Sequence, residues 1–552
     1  MKSHHQKMTA NGIVVLIMLV GSLAGLLPGK VAATNLKNRL ERDPRLPNAA
    51  DFDQDSFADL VVGVEWEDAG SVADAGAVNI LYGSSGGISA TGDQFWNQDS
   101  LVAADGSEEY DYFGQVLAAG DFDGDGAADL AVGVPGEDIG TAVDGGAVHV
   151  LYGSNTSGLV ATGNQLWHQG SSGVDGAVET DDRFGKALAV GDFDGDGYDD
   201  LAVGAPYEDI DTEGSAGAVN VLYGSANGLT ATGNQLWYEG YNGLGGEPEA
   251  NDWFGYALAA GDFDLDGHDD LAVGLPGENL GTGDVLNAGR VAVIYGTQNG
   301  LSAAGYQGFA QGVSGVLNSY EENDYFGDVL TTGDFDGDRY VDLAVGVPRE
   351  DNNTLVDTGA VNVLYGSSGG LTAADNEIWF DGGIEEGDEF GRALAAGDFN
   401  GDGFDELAVG IPYEDLASLV NTGAVDILYG SSSGLDRRVS NDLWHQDRSG
   451  MEDGAEEGDL FGIALAAGDF DKDKYVDLAV GIRNEDVSTI VDTGAVHVLY
   501  GSSSGIAVTG NRFWHQDIPN VEGLAETNDH FGCALAAIPP ERHKVYLPLI
   551  MR

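Results

Sequence analysis

The segment "DFDGDGAADLAVG" (residues 121–133) sets carboxylates at Asp121, Asp123, Asp125 and Asp129 around two glycines. Like charges at this spacing repel, so a chain that writes them together needs something to neutralise them. A hard divalent cation does so: calcium takes six to eight oxygens at about 2.3–2.6 Å from carboxylates, carbonyls and water. In D-x-D-x-D-G-x-x-D the first, third, fifth and ninth residues can present side chains inward, and the seventh can offer its backbone carbonyl. Glycine at the sixth place permits the tight bend. The pattern resembles the first half of an EF-hand loop, but the closing acid arrives at the ninth place, at the start of a strand, and no amphipathic helix flanks it. Magnesium fits less well, because it prefers a small octahedral shell that keeps its waters.

The same loop is written seven times. Its side-chain sets are Asp51, Asp53, Asp55, Asp59; Asp121, Asp123, Asp125, Asp129; Asp192, Asp194, Asp196, Asp200; and Asp262, Asp264, Asp266, Asp270. They continue as Asp334, Asp336, Asp338, Asp342; Asp398, Asn400, Asp402, Glu406; and Asp469, Asp471, Asp473, Asp477. The matching carbonyl donors are Phe57, Ala127, Tyr198, His268, Tyr340, Phe404 and Tyr475. The expected cofactor is Ca²⁺, at up to seven sites. A solvated acidic turn without metal is the alternative, and it gains ground where the pattern departs. Ser56, Arg339 and Lys474 stand where glycine should bend the chain, and the sixth loop substitutes Asn400 and the longer Glu406.

The loops recur at 70, 71, 70, 72, 64 and 71 residues, and other signals keep phase with them. "GAVHVLYG" (146–153) has a counterpart in each unit, an aromatic run such as "QLWHQ" (165–169) follows, and a Phe-Gly pair opens the next apolar run. In the second unit the predicted strands are 113–121, 129–135, 146–153 and 164–169. Four antiparallel strands repeated seven times predict an all-β, seven-bladed β-propeller. The first acidic loop lacks its Phe-Gly strand, and the last such strand, "FGCALAAI" (531–538), lacks a loop. A C-terminal strand completing the first blade closes the ring and removes exposed sheet edges. A linear solenoid is the structural alternative.

Composition bounds the partners. The 552-residue chain carries a formal charge of −69, which excludes nucleic acid and argues against anionic membrane surfaces, since both need Lys and Arg clusters. Lys2 and Lys7 precede the apolar run 12–27, followed by "KVAAT", so residues 1–33 read as a signal peptide, with an uncleaved anchor as the alternative. The expected division continues with a linker at 34–46, the propeller at 47–538 and a tail at 539–552. Cys533 is the single cysteine, so no internal disulfide forms. Export without disulfides suits a secreted or cell-surface protein of bacterial origin, with no membrane span after cleavage and a monomeric state.

The pairs Phe113–Gly114, Phe184–Gly185, Phe254–Gly255, Phe326–Gly327, Phe390–Gly391, Phe461–Gly462 and Phe531–Gly532, with the "GAV" segments, resemble FG-GAP repeats. With the acidic loop between them, the pattern resembles the N-terminal propeller of integrin α subunits and bacterial relatives. The resemblance implies calcium in the hairpin between the first and second strands, on the face opposite the one that engages partners. It also implies a calcium-stabilised adhesion module that binds a surface protein or glycan. Trp66, Tyr207, Tyr413 and Trp253 stand in the loops of that partner face. The alternative is a calcium-dependent propeller enzyme, a hydrolase or lyase acting on polysaccharide or phosphate ester. The G-x-S-x-G runs at 83–87, 366–370, 430–434 and 501–505 stand in Ser/Gly turns with no helical pattern after them, no H-E-x-x-H helix is present, and Lys and Arg to grip an anionic substrate are few, so the expectation is a protein that is not an enzyme. A purely structural surface protein is a third reading. Asp182, in a partner-face loop, is expected to be dispensable for stability.

Overall fold

A computed structural model describes residues 50–102, 106–154, 157–281, 285–383, 385–438 and 443–537. The chain divides into a short unit, Met1–Arg45, outside the described residues, and a large unit, Leu46–Arg552, that holds every described strand. The predicted signal segment, the linker and the tail at 539–552 lie outside the described residues.

The second unit of the repeat shows the blade. Its strands are Val116–Gly120, Asp129–Val134, Ala147–Tyr152 and Val160–Trp167, each hydrogen-bonded antiparallel to the next. Phe113 and Gly114 precede the first strand instead of opening it. The fourth begins four residues earlier than the aromatic signal suggested, because a register shift between Val150 and Tyr152 lets the polar "VATG" run pair as well.

Seven such sheets make the propeller. In blade 1 the last strand of the chain, Phe531–Ala536, pairs with Leu60–Val64, so the ring closes as the sequence implied. Blade 6 has three full strands; its fourth position is marked among the described residues by single bridges, Val425 to Trp444 and Tyr429 to Asp436. Among the described residues helix is confined to a single turn at Gln98–Ser100.

The core lies between blades. The second and third strands of blade 2 are buried along their whole length, because both faces are covered by neighbouring sheets. That is why they read as unbroken apolar runs and not as an alternation. Val61, Val78 and Ile80 of blade 1 pack with Phe113, Leu130 and Leu151 of blade 2. At the closure Leu60, Val62 and Leu81 meet Phe470, Val496 and Val498 of blade 7.

The Phe-Gly and GAV signals are two halves of the joint between blades. Gly146 has φ +78°, and a β-carbon there would lie 2.4 Å from the backbone nitrogen of Phe184 in the next blade. Only glycine tolerates both the left-handed conformation and that approach. The same contact joins Gly494 of blade 7 to Phe531, so the closing joint is built like the others.

Candidate metal centres

In blades 2–7 each acidic loop links the first strand to the second, and in blade 1 it leads into the second strand, Leu60–Val64. Its second residue, Phe in all seven copies, is fully buried and anchors the hairpin: Phe52, Phe122, Phe193, Phe263, Phe335, Phe399 and Phe470. Around that anchor the loop wraps on its own carboxylates. In blade 3 Asp192 accepts from the backbone of Asp196 (2.9 Å) and Gly197 (3.1 Å), Asp194 accepts from Asp196 (3.1 Å), and Asp196 accepts from Tyr198 (3.1 Å).

The fourth and sixth residues take the left-handed conformation. In blade 3 these are Gly195 (φ +68°) and Gly197 (φ +96°). Ser56, Arg339 and Lys474 adopt the same bend at φ +76°, +82° and +83° without glycine's freedom, which strains the first, fifth and seventh loops.

The ninth acid is the buried floor. Asp129 accepts from the backbone of Phe122 and Gly153, each at 2.9 Å, and Asp59, Asp200, Asp270, Asp342 and Asp477 hold the corresponding pairs. Burial pushes Asp129 up to about 9 against the Gly153 N–H, with Asp123 and Asp121 adding to the rise. Asp270 is likewise raised to about 9, chiefly by burial. In blade 6 Glu406 accepts from the backbone and the side-chain amide of Asn400, so that pair turns inward on itself.

Carboxylate oxygens of the first, third and ninth residues lie within 4.8 Å of one another in the first four loops: Asp51, Asp53, Asp59; Asp121, Asp123, Asp129; Asp192, Asp194, Asp200; and Asp262, Asp264, Asp270. The fifth acids stand outside these groups. Asp55, Asp125, Asp196 and Asp266 each turn an oxygen to the backbone N–H of the seventh residue: Phe57, Ala127, Tyr198 and His268. The same bond recurs at Asp338 to Tyr340, Asp402 to Phe404 and Asp473 to Tyr475. An all-oxygen set on a buried acid suits a hard cation such as calcium.

Sequence reasoning missed how the loops join. The carbonyl of the first residue accepts from the eighth residue of the next blade's loop at all seven junctions, as in Ala128 to Asp51 (3.0 Å), Asp199 to Asp121 (3.1 Å) and, across the closure, Ala58 to Asp469 (3.2 Å). The carbonyl of the buried Phe accepts from the next blade's turn in the same way, as in Ser154 to Phe52 (3.2 Å). Two unbroken circles of hydrogen bonds therefore run through the loops.

The opposite ends of the second strands carry a second tier of carboxylates. In blade 3 Gln169, from the fourth strand of the preceding blade, donates to Glu208 (2.7 Å), and Asp182 stands beside Glu208. Asp182 is therefore not the dispensable surface group expected. It is 1% exposed and accepts from the backbone of Glu179 (2.5 Å). The signal was available, since Gln98, Gln169, Glu239, Gln311, Asp381, Gln446 and Gln516 recur in phase after the aromatic of each fourth strand.

On this face the four singled-out aromatics part company. Tyr207 and Trp253 line a cavity of about 150 Å³ with Tyr256, Tyr325, Arg349 and Arg392, where Trp253 and Tyr325 stack in parallel at 6.1 Å. Trp66 packs on His530 (4.4 Å), and Tyr413 lies outside the cavity lining. Two histidines of the third strands serve packing: His149 lies against Phe113 and His497 against Phe461, and burial holds His497 down at about 4. Few as the cations are, the fold gathers Arg349 and Arg392 into one cleft, which the composition could not tell.

Fold and loops together define a closed seven-bladed β-propeller with an acidic hairpin in every blade. Residues 113–151, 184–222, 254–294, 326–364, 390–428 and 461–499 match the FG-GAP repeat family, and the chain belongs to the FG-GAP repeat proteins. The six matches are blades 2–7; blade 1 is assembled from both ends of the chain, so no contiguous segment spells it. Among its relatives, integrin alpha-PS2 of Drosophila melanogaster is 32% identical over 263 residues, 46% of this chain and 17% of that one. Phosphatidylinositol-glycan-specific phospholipase D of Rattus norvegicus is 35% identical over 163 residues, 29% and 18% of the two chains. The chain thus spans about a fifth of the length of these curated relatives. Among solved structures a rhamnogalacturonan lyase of Bacillus licheniformis superposes with a TM-score of 0.38 at 14% identity, covering 90% of this chain and 76% of that one.

These relatives correct one expectation. The want of catalytic motifs and the scarcity of Lys and Arg predict a protein that is not an enzyme, yet relatives of this chain include phospholipases D at 32–35% identity. Among these relatives the similarity extends to enzymes as well as to integrins. Among the described residues no helix is long and apolar enough to cross a membrane.

Proposed function

We propose that this protein is a secreted or cell-surface propeller whose seven acidic hairpins hold calcium, and whose opposite face binds a surface protein or glycan. The observation that carries the first half is that each loop's carboxylates sit on the strand of backbone bonded to the next blade. A cation drawn to the first, third and ninth acids would hold the loop in the shape that presents its first two carbonyls to the neighbour. Asp121, Asp123 and Asp129 would ligate it in blade 2, with Asp125 and the Ala127 carbonyl completing the set, and the other blades would follow the same positions. The ion supplies positive charge and no redox chemistry; the chain supplies the buried floor and the bend.

The binding half is supported by the cleft of Tyr207, Trp253 and Tyr325, which offers flat rings beside Arg349 and Arg392. Stacked rings next to charged groups suit sugars and mixed protein patches. The test is retention on a glycan array and on immobilised surface extract, with calcium or chelator, for the wild type and Trp253→Ala. Retention that needs calcium and is lost in a Trp253→Ala variant of unchanged melting temperature supports the reading; retention indifferent to both contradicts it. The phospholipase D similarity favours a second reading, a role in hydrolysis. Calcium-dependent turnover of phosphate esters or polysaccharide would establish it.

A further inference from the structure

The scarce cations are not scattered. The first strands of successive blades neighbour one another all the way round, so the residue after each Phe-Gly pair heads a strand of the innermost ring. Three of those seven places are charged, by Lys186, Asp328 and Arg392. Arg183 precedes one of the pairs, and Arg349 lies just past the second strand of blade 5. Four of the chain's 23 Lys and Arg thus gather around the cleft of Tyr207, Trp253 and Tyr325.

Among the described residues Arg392 alone of these four forms ion pairs, with Asp328 at 2.7 Å and Glu389 at 3.6 Å. Lys186 donates from Nζ to Gln115 Oε1 (3.1 Å). Burial pulls its ammonium below the usual lysine range, with Glu65 opposing the fall and Arg183 adding to it. Arg183 and Arg349 lie over the rings of Tyr207 (5.7 Å) and Tyr325 (5.0 Å), and among the described residues neither guanidinium makes an ion pair or a hydrogen bond. On a chain of formal charge −69, which repels anions over most of its surface, this cleft keeps unanswered positive charge.

The same cleft is walled by rings. The residue before each Phe-Gly pair is left-handed in all seven units, at φ +53° to +61°, a conformation that bulky side chains rarely adopt. In blades 4 and 5 the chain places Trp253 and Tyr325 there, stacked at 6.1 Å with 8° between their planes, and Tyr207 stands edge-on to Trp253 at 6.3 Å.

We propose, resting on the binding-face reading above, that this cleft takes an acidic sugar, its pyranose ring against Trp253 and Tyr325 and its carboxylate on the Arg349 guanidinium. Aromatic faces suit the apolar face of a sugar ring, and a guanidinium with no carboxylate of its own suits the ligand's. An acidic peptide would use the cations and leave the ring wall idle.

The test is titration calorimetry of the full chain at fixed calcium with three probes: a glucuronate trisaccharide, the neutral glucose trisaccharide of the same linkage, and pentaglutamate. The glucuronate trisaccharide should bind at least about tenfold tighter than either of the others. Arg349→Gln breaks no ion pair or hydrogen bond, so its melting temperature should hold while glucuronate affinity falls about tenfold and neutral-sugar affinity stays. Trp253→Ala should lose both sugars. Acidic and neutral sugars bound alike, or glucuronate affinity indifferent to Arg349→Gln, would overturn the proposal and leave the glycan reading of the face standing. Pentaglutamate bound more tightly than the sugars would overturn it and assign the cleft to an acidic protein. Binding of none of the three would overturn it as well, while retention on surface extract would still decide the face by itself.

Discussion

The two ends of the blades solve one problem, crowded carboxylates, by different means. At the hairpin end the acids lie within nine consecutive residues, as Asp121 to Asp129 do, and the chain bends around them with its own N–H groups. At the other end the polar groups come from separate segments, as Asp182 stands beside Glu208 and Gln169 of the preceding blade donates to Glu208, so an amide or a guanidinium answers the acids. In the proposed reading the charges contiguous in sequence are answered by an ion, whereas charges gathered by packing are answered by the residue that packing delivers.

Removing the ion should show the largest effect. A ligand bound only to the folded state stabilises it by about 1.4 kcal/mol per site at ten times its dissociation constant, so several filled hairpins add up to many degrees of melting temperature. Scanning calorimetry in calcium against chelator checks this, and equal transitions would break the contrast between the two ends.

Within a hairpin, position matters more than charge. Asp129→Ala removes the acceptor of two buried backbone N–H groups and should lower stability by about 2–4 kcal/mol, whereas Asp125→Ala, which frees one part-buried bond, should lower it by about 1 kcal/mol. Urea unfolding of the two variants in chelator separates the structural role from metal binding. At the second tier Asp182→Ala should cost about 1–2 kcal/mol, with or without calcium, because its carboxylate accepts a backbone N–H away from the hairpins.

Acidity gives the last signal, and the two ends should differ in sign only with calcium bound, since burial raises the carboxyls at both. Burial pushes Glu67 and Glu350 up to about 8, so the folded protein holds protons there that the unfolded chain releases above about 4.5. Their contribution is present at low pH and is lost as pH rises toward 8. In chelator the melting temperature should therefore fall from pH 5 to pH 8. With calcium the hairpins gain from ionisation, and the slope should flatten or reverse.

Much of this was legible. The repeat, the blade count and the ring closure followed from the phase of the Phe-Gly, acidic and GAV signals, and from an unpaired loop at one end and an unpaired strand at the other. The hairpin triads were readable because their residues are neighbours. The fifth acid's turn toward the backbone was not, since Asp125 has the same spacing from Asp123 as Asp123 has from Asp121. The burial of Asp182 was hidden because Glu208, which stands beside it and takes the amide of Gln169, is distant from both in sequence. Phe122 lies outside the ligand pattern that the loop presents, although its burial pins the loop. The cleft of Arg349 and Arg392 was hidden by a composition that averages 92 acids against 23 bases.

The central claim is that calcium in the hairpins fastens the ring. Titration calorimetry of the metal-free chain, with the melting temperature followed at each calcium addition, tests it most directly. Several ions per chain, with stability rising as they bind, is the predicted result; fewer than one ion per chain, or binding that leaves the transition where it was, would contradict it.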